Sequence, residues 1–312
     1  WSYQINNIHH LEEVIDYAFF IANNGKKGAV HIDLPKCILS TKIDYSEYIQ
    51  HKENNYDLPQ YIENKTNIVK NLYYNKYKIK NIVEVINKSN KPIIYLGQGC
   101  IEDYENLRKF AILGNIPVTS TIHGTGIFDE SHNLSLQWCG MHGNAAANYT
   151  LQEADCIIAL GSRFDDRTTG LVSKYAPKAF ESYKNGIGGI IHVNIENDEI
   201  NKVIKSHYNF NMKCGDFLKE ALKYIEYNPR EKYLQQINKL KEKYTFTYVE
   251  EKGKLYMENV LCGLYNKTKH MKDNVIFTTG VGNHQMQTYQ YIKSHYPKKI
   301  ISSGSLGVMG AG

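Results

Sequence analysis

No CxxC pair occurs in the sequence: its six cysteines, Cys37, Cys100, Cys139, Cys156, Cys214 and Cys262, stand at wide, irregular gaps. That spacing argues against a zinc site and a disulfide framework and fits a reducing compartment better. No apolar run reaches the length needed to span a bilayer, so a membrane partner is not expected. The opening Trp-Ser-Tyr-Gln-Ile lacks a charged stretch followed by an apolar core, so no signal peptide is visible. A dense basic block is missing too. Lys and Arg number 37 against 32 Asp and Glu, and the net charge of +5 is spread over Lys-rich surface stretches. Nucleic-acid binding requires a localised stripe, and none is expected here. The chain has no initiator Met and stops in Gly-rich sequence, which reads as an internal piece of a longer protein; a missing targeting signal then carries no information about the compartment.

What is present is globular. With 42% hydrophobic and 22% charged residues over 312 positions, the chain can bury real cores in about two domains. Apolar residues at helical spacing, Leu11, Val14, Ile15, Ala18, Phe19 and Ala22, predict a helix, and residues 29–34 alternate like a strand. This αβ unit has no visible partner and suits the tail of a domain. Residues 41–64 are polar and weakly patterned, a linker. Strands are predicted at 92–96, 116–120, 156–160 and 189–195, with a helix over 103–113. A helix runs from Asp216 to Tyr227 and a charged one over 231–243. A third αβ section follows, with a helix over 256–268, strands at 275–279 and 299–303, and a helix from His284. Strands alternating with helices imply α/β architecture with parallel sheets and right-handed crossovers.

In such sheets ligands collect at the carboxyl ends of strands, which selects four loops. Gly97-Gln-Gly99 is either a tight turn or a place where a cofactor nears the backbone. Residues 121–142 form the second loop; within it, Cys139-Gly-Met-His-Gly143 reads first as a turn with a packed Met and a satisfied His, and otherwise as a pliable apolar contact for a flat ring. Residues 161–170 put two Arg and two Asp into five positions after an apolar strand. Arg there supplies planar donors for phosphate or carboxylate; an exposed Arg–Asp network of little energetic weight is the bland alternative. Residues 304–312 carry glycines at 304, 307, 310 and 312, which suits a backbone cradle for pyrophosphate; a flexible linker is the alternative, which Leu306, Val308 and Met309 suit poorly.

Together these segments resemble the acetohydroxyacid synthase (acetolactate synthase) catalytic subunit in order and spacing. The strings are GKKGAVHIDLPK (25–36), IIYLGQGC (93–100), LSLQWCGMHGNAAANY (134–149), GSRFDDRTTG (161–170), IIHVNIENDEI (190–200), TTGVGNHQM (278–286) and SSGSLGVMGAG (302–312). RFDDR and GMHG are the most specific; GSLGVMGAG alone points only to the wider thiamine-diphosphate superfamily. The resemblance implies three-layer αβα domains: the tail of a pyrimidine-binding domain at 1–40, a central Rossmann-like, FAD-binding domain at 65–228, and the start of a pyrophosphate-binding domain at 229–312.

It also implies cofactors and roles. FAD contacts fall on Thr121, Ile122, Cys139, Gly140, Met141, His142, Gly161, Ser162, Arg163, Phe164, Asp165, Asn194, Ile195, Asp216 and Phe217. Thiamine-diphosphate contacts fall on Asn283, His284, Gly307, Val308 and Met309. Met141, Asp166 and Arg167 match positions by the substrate channel. The implied reaction is the thiamine-diphosphate-dependent decarboxylative condensation of two 2-oxoacids, pyruvate with pyruvate or 2-oxobutyrate, on the route to branched-chain amino acids. The expected assembly is a homodimer or homotetramer, with a regulatory small subunit as a further partner and the cytoplasm or a plastid or other organelle as the compartment. Against the family pattern, Gln98 replaces a glycine, Asn283 stands where Gln is usual and Gln287 where Trp is usual, and no Arg occurs at 61–65. The catalytic glutamate and the Mg2+-holding motif are expected outside this stretch, so the 312 residues alone are expected to be inactive. Another thiamine-diphosphate carboligase or decarboxylase, or a non-catalytic nucleotide-binding relative, is the alternative.

Overall fold

A computed structural model describes residues 1–44, 46 and 72–312; most of the linker at 41–64 and the Arg-free stretch 61–65 lie outside the described residues. The chain divides into two compact units, 1–75 and 76–312. In the first, the helix Leu11–Asn23 buries Val14 and Ala18. The strand β2, His31–Asp33, is not solitary as the sequence suggested: it pairs in parallel with β1, Ser2–Gln4. β1 was missed because three residues with an exposed–half-buried–exposed pattern carry almost no periodicity.

The second unit is built on a six-stranded, all-parallel sheet. Its strands are β3 (Pro92–Leu96), β4 (Val118–Ser120), β5 (Ser135–Trp138), β6 (Cys156–Leu160), β7 (Gly189–Asn194) and β8 (Tyr208–Asn211). Their spatial order is β5-β4-β3-β6-β7-β8. Every residue of β3, β6 and β7 is buried, because both faces are covered and successive side chains enter different cores. Ile94, Leu96, Ile158, Leu160, Ile191 and Val193 meet the helices Leu72–Lys88, Tyr104–Gly114 and Cys214–Ala221 on one face. Ile93, Tyr95, Ile157, Ala159 and Ile190 meet Ala145–Glu153, Pro177–Lys184 and Glu231–Lys243 on the other. The result is the α/β architecture with a parallel sheet that the sequence pattern implied, in the three-layer αβα form that the resemblance implied.

Two expectations change. Residues 121–142 are not one loop, since β5 runs inside them and pairs with β4. The helix expected from Asp216 to Tyr227 spans Cys214–Ala221 and gives way to turns in which Lys223 N–H reaches back to the Glu220 carbonyl.

The last section forms a separate two-stranded parallel sheet, β9 (Phe277–Thr279) with β10 (Ile300–Ser302), beside the helices Met257–Thr268 and Asn283–Tyr291. Its core of Leu261, Tyr289, Ile292 and Ile300 includes Trp138 from β5, whose indole N–H donates to the Tyr289 carbonyl at 3.1 Å. Arg230 ties the large sheet's layers together. Its guanidinium, 8% exposed, donates to the carbonyls of Ile86, Ser89 and Gly114, the ends of two helices, where unpaired carbonyls and the negative end of the helix dipole favour a cation.

Candidate functional site

β3 and β6 are neighbours, yet the chain leaves β3 towards β4 and β6 towards β7. That reversal opens a crevice at their carboxyl ends, the place where parallel α/β sheets bind ligands. Here it is lined by backbone. The Gly97 N–H donates to the Leu160 carbonyl at 2.9 Å and the Gly99 N–H to the Gly161 carbonyl at 3.1 Å. A methyl group on Gly97 would lie 2.1 Å from the Gly161 carbonyl oxygen, and one on Gly161 would lie 2.6 Å from the Gly99 Cα. The Gly97-Gln-Gly99 turn thus exists for close backbone approach.

Around this crevice the structure gathers the loops singled out above. Thr121 is buried and its N–H donates to the Leu96 carbonyl at 2.7 Å, which pins the 121–124 turn to the end of β3. The Cys139 N–H donates to the Ser120 carbonyl at 2.9 Å. Gly140, at φ +109°, is clamped by Asn148, which accepts from its N–H at 2.8 Å and donates to its carbonyl at 2.9 Å. The Met141 N–H donates to the Arg167 carbonyl at 2.8 Å, and the Arg167 Nη1 lies 3.4 Å from the Met141 sulfur. Segments 139–142 and 161–167 therefore share one edge of the sheet. Had they faced opposite ways, one flat ligand could not have touched both.

Burial divides these residues into two kinds. Phe164 holds a left-handed backbone (φ 55°) while its ring, 1% exposed, packs against Tyr95, Tyr175 and His192. Phe217 is likewise sunk in the core against Phe210. Both can offer a ligand only backbone. The Ser162 carbonyl accepts from His192 Nε2 at 3.0 Å and Asn194 Nδ2 at 2.9 Å, and Asn194 Oδ1 accepts from the Glu196 N–H; these bonds hold the β6 loop against the end of β7, where Ile195 follows. Burial pushes the Cys139 thiol up to about 12 and lowers the His192 imidazole, so neither is charged at neutral pH. By contrast Met141, His142, Arg163, Asp166, Arg167 and Asp216 face solvent. Arg167 and Asp166 are 4.0 Å apart at high exposure, which leaves the guanidinium free for an anion.

The residues expected to meet thiamine diphosphate sit at the carboxyl ends of β9 and β10. Gly282, at φ +144°, precedes the helix that begins with Asn283 and His284. Residues 304–312 are a chain of turns: the Val308 N–H donates to the Ser303 hydroxyl at 3.0 Å, and a methyl group on Gly312 would lie 2.3 Å from the Gly280 nitrogen. The two edges adjoin. Gln290 Nε2 donates to the His142 carbonyl at 2.8 Å, and His123 Nε2 lies 3.3 Å from the Ser305 hydroxyl. His123 lies within the 121–142 loop beside Thr121 and Ile122, but the sequence gives it no role of its own, because its partner Ser305 is distant in the chain.

The chain's own atoms fit a flat, diphosphate-linked group. The Ser162 hydroxyl is buried without a hydrogen-bond partner at the end of β6, as are the Thr279 hydroxyl and the Gln285 amide nitrogen beside the β9 loop. Buried polar atoms left unpaired are costly, and a small shift of the loops would bring these three within reach of a bound group. Glycines 97, 140, 161 and 312 leave room only for backbone. Among the described residues, no group of three or more His, Cys, Asp or Glu could hold a metal ion, and no helix is long and apolar enough to cross a membrane.

Comparison with known proteins shows what the chain is similar to. Residues 79–221 match the thiamine pyrophosphate enzyme central domain. Over its whole length the chain is 35% identical to the mitochondrial acetolactate synthase catalytic subunit of Saccharomyces cerevisiae, covering 46% of that protein. The chain is homologous to acetolactate synthase catalytic subunits. It is also 32% identical to the chloroplastic acetolactate synthase 1 of Nicotiana tabacum and to the isozyme 1 large subunit of Escherichia coli, covering 44% and 51% of them. The chain thus spans about half the length of the curated relatives it matches.

Proposed function

We propose that this chain belongs to an acetolactate synthase, an enzyme that joins pyruvate to a second pyruvate or to 2-oxobutyrate with release of CO2. The observation that carries the reading is the convergence of segments 97–99, 121–123, 139–142 and 161–167 on one sheet edge, with the 304–309 loop beside it. FAD would lie along the large sheet's edge, on the backbone of 139–142 and 161–165, the Ser162 hydroxyl and residues 121–122, with 194–195 and 216–217 flanking. Thiamine diphosphate would take Asn283, His284 and the amides of 307–309. When bound it supplies the electron sink that the loss of CO2 requires. The protein's part is placement. Arg167, exposed and only loosely held by Met141 and Asp166, orients a 2-oxoacid carboxylate through its planar donors. Met141 offers a pliable apolar wall that excludes water from the same region.

A second copy of the chain and a regulatory small subunit are the proposed partners, supported by relatives that are named catalytic or large subunits. A plastid or other organelle is the proposed location, with the cytoplasm as the alternative; fungal and plant relatives are named mitochondrial and chloroplastic. The test uses the protein expressed in full and purified without added flavin. It should be yellow, with a flavin absorption band that survives gel filtration, and should form acetolactate from pyruvate when given thiamine diphosphate and Mg2+. A colourless protein that neither takes up FAD nor consumes pyruvate would refute the proposal.

A further inference from the structure

Three loops from two sheets meet at His123. The residue sits on the short 310 turn Ile122–Gly124, which is rigid: Thr121 N–H is held by the Leu96 carbonyl, Gly124 N–H by the Thr121 carbonyl at 2.9 Å, and the Thr125 hydroxyl donates to the Ile122 carbonyl at 3.0 Å. A methyl group on Gly124 would lie 2.9 Å from the Leu96 carbonyl oxygen, so the turn packs closely on the end of β3. From this base the half-buried imidazole crosses to the small sheet. Its Nε2 is 3.3 Å from the Ser305 hydroxyl, and the Gly304 backbone lies so close that a methyl group there would be 2.7 Å from both Cε1 and Nε2. The charged groups near the ring are Arg163 and Asp165 of the β6 loop. Burial, seconded by Arg163 and opposed by Asp165, lowers its pKa. The ring is therefore neutral near pH 7, with one N–H to donate and one nitrogen to accept.

We propose that His123 is a positioning residue that, through Gly304 and Ser305, locks the flavin-side edge of the large sheet to the glycine-rich loop of the small one, so that a ligand on either edge raises affinity at the other. The proposal rests on the cofactor assignment above, and it adds a coupling that the assignment does not require. The physical route is short. A flavin seated on 121–122 and 161–165 would restrict the His123 ring and the Arg163 and Asp165 side chains beside it. The ring in turn fixes residues 304–305, two positions before the 307–309 amides. Ordering that one ligand has already caused need not be repeated for the next, and by linkage the effect is equal in both directions.

The experiment titrates FAD into the full-length apoprotein, following flavin fluorescence, with and without saturating thiamine diphosphate and Mg2+. For the parent protein, thiamine diphosphate should tighten FAD binding about fivefold or more, the lower end of ordinary allosteric coupling. His123→Ala should bring that ratio to about one, while His123→Gln, which keeps a nitrogen donor near the Nε2 position, should restore most of it. Ser305→Ala alters an exposed hydroxyl, leaves the fold undisturbed and should reduce the ratio, which provides a test even if His123→Ala folds poorly. A parent ratio of one, or ratios unchanged in His123→Ala and Ser305→Ala, would overturn the role of His123 and leave the cofactor assignment standing. A parent protein that binds no FAD at all would overturn both.

Discussion

Glu130 is a carboxyl group in a place where a charge is costly. It is 5% exposed, at the end of a turn that follows the Gly126–Phe128 stretch. Its Oε2 accepts from the Ser294 N–H at 2.7 Å, the Ser294 carbonyl accepts from the Glu130 N–H at 3.1 Å, and Oε1 has no partner. Glu130 lines a small cavity together with Val118, Thr119, Ser120, Phe128, Ser135 and Gln137. Burial raises the carboxyl to about 8, with the Ser294 N–H and Lys293 opposing and Asp129 adding to the rise. The sign follows directly. The folded state holds the proton more tightly than the unfolded chain, so full stability is present below about pH 4.5 and is lost as pH rises through 8. Integrated between pH 6 and 9, the loss is on the order of 3 kcal/mol. Glu130→Gln keeps an acceptor for the Ser294 N–H and removes the titration. The variant should match the parent near pH 5 and exceed it by several degrees in melting temperature at pH 9. Trp138 is the natural probe, since its indole bonds to Tyr289 in the small core near Ser294. In a Trp1→Phe background it is the chain's lone tryptophan, and its fluorescence reports unfolding of this junction. Parent and variant losing stability in parallel between pH 6 and 9 would refute the reasoning, because another group would then be responsible.

Two further substitutions probe the frame that carries the site. Arg230→Met removes a buried guanidinium from the carbonyls of Ile86, Ser89 and Gly114; the stranded carbonyls should cost about 3 kcal/mol or more in urea unfolding, and a loss below about 1 kcal/mol would show that solvent replaces the arginine. Gly97→Ala forces a methyl group to 2.1 Å from the Gly161 carbonyl oxygen, so the β3 and β6 loops must part at a cost of about 3 kcal/mol, and FAD retention on gel filtration should fall with it. Unchanged melting and retention would mean that the crevice is looser than its backbone bonds suggest.

Legibility in the sequence followed burial. β3, β6 and β7 announce themselves because a strand covered on both faces is apolar throughout, as Pro-Ile-Ile-Tyr-Leu and Cys-Ile-Ile-Ala-Leu are. β5 and β8 are four residues each and carry polar Ser, Gln and Asn; β5 has Gln137 at φ +58° and an irregular register against β4. Neither offers a run or a clean alternation. The helix Ala145–Glu153 escaped because its buried face is two alanines, a threonine and a leucine, a weak apolar stripe. The positions of the loops were legible because glycines and charged residues directly follow the apolar strands β3 and β6. His123 and Glu130 were not: an imidazole in a turn and an acid after Phe-Asp look like surface residues until Ser305 and Ser294, more than 160 positions on, arrive beside them.

The burial of the site residues decides what their substitution can report. Ser162, Phe164, Asn194 and Phe217 are buried in the sheet's own bonding and core, so replacing Phe164 opens a hole between Tyr95, Tyr175 and His192 before it touches any ligand. Loss of FAD in such a variant would accompany loss of stability and could not be assigned to a contact. Met141, Arg163, Asp166 and Arg167 face outward from the same backbone, and their side chains do little to support the fold. If this edge holds the flavin and admits a 2-oxoacid, substitutions in the outward set must change affinity or pyruvate saturation while the melting temperature stays put. Substitutions in the inward set must move both together. The two behaviours separate cleanly because a parallel sheet presents backbone and a few loop side chains at its carboxyl edge, while the residues that hold the edge in place lie beneath it.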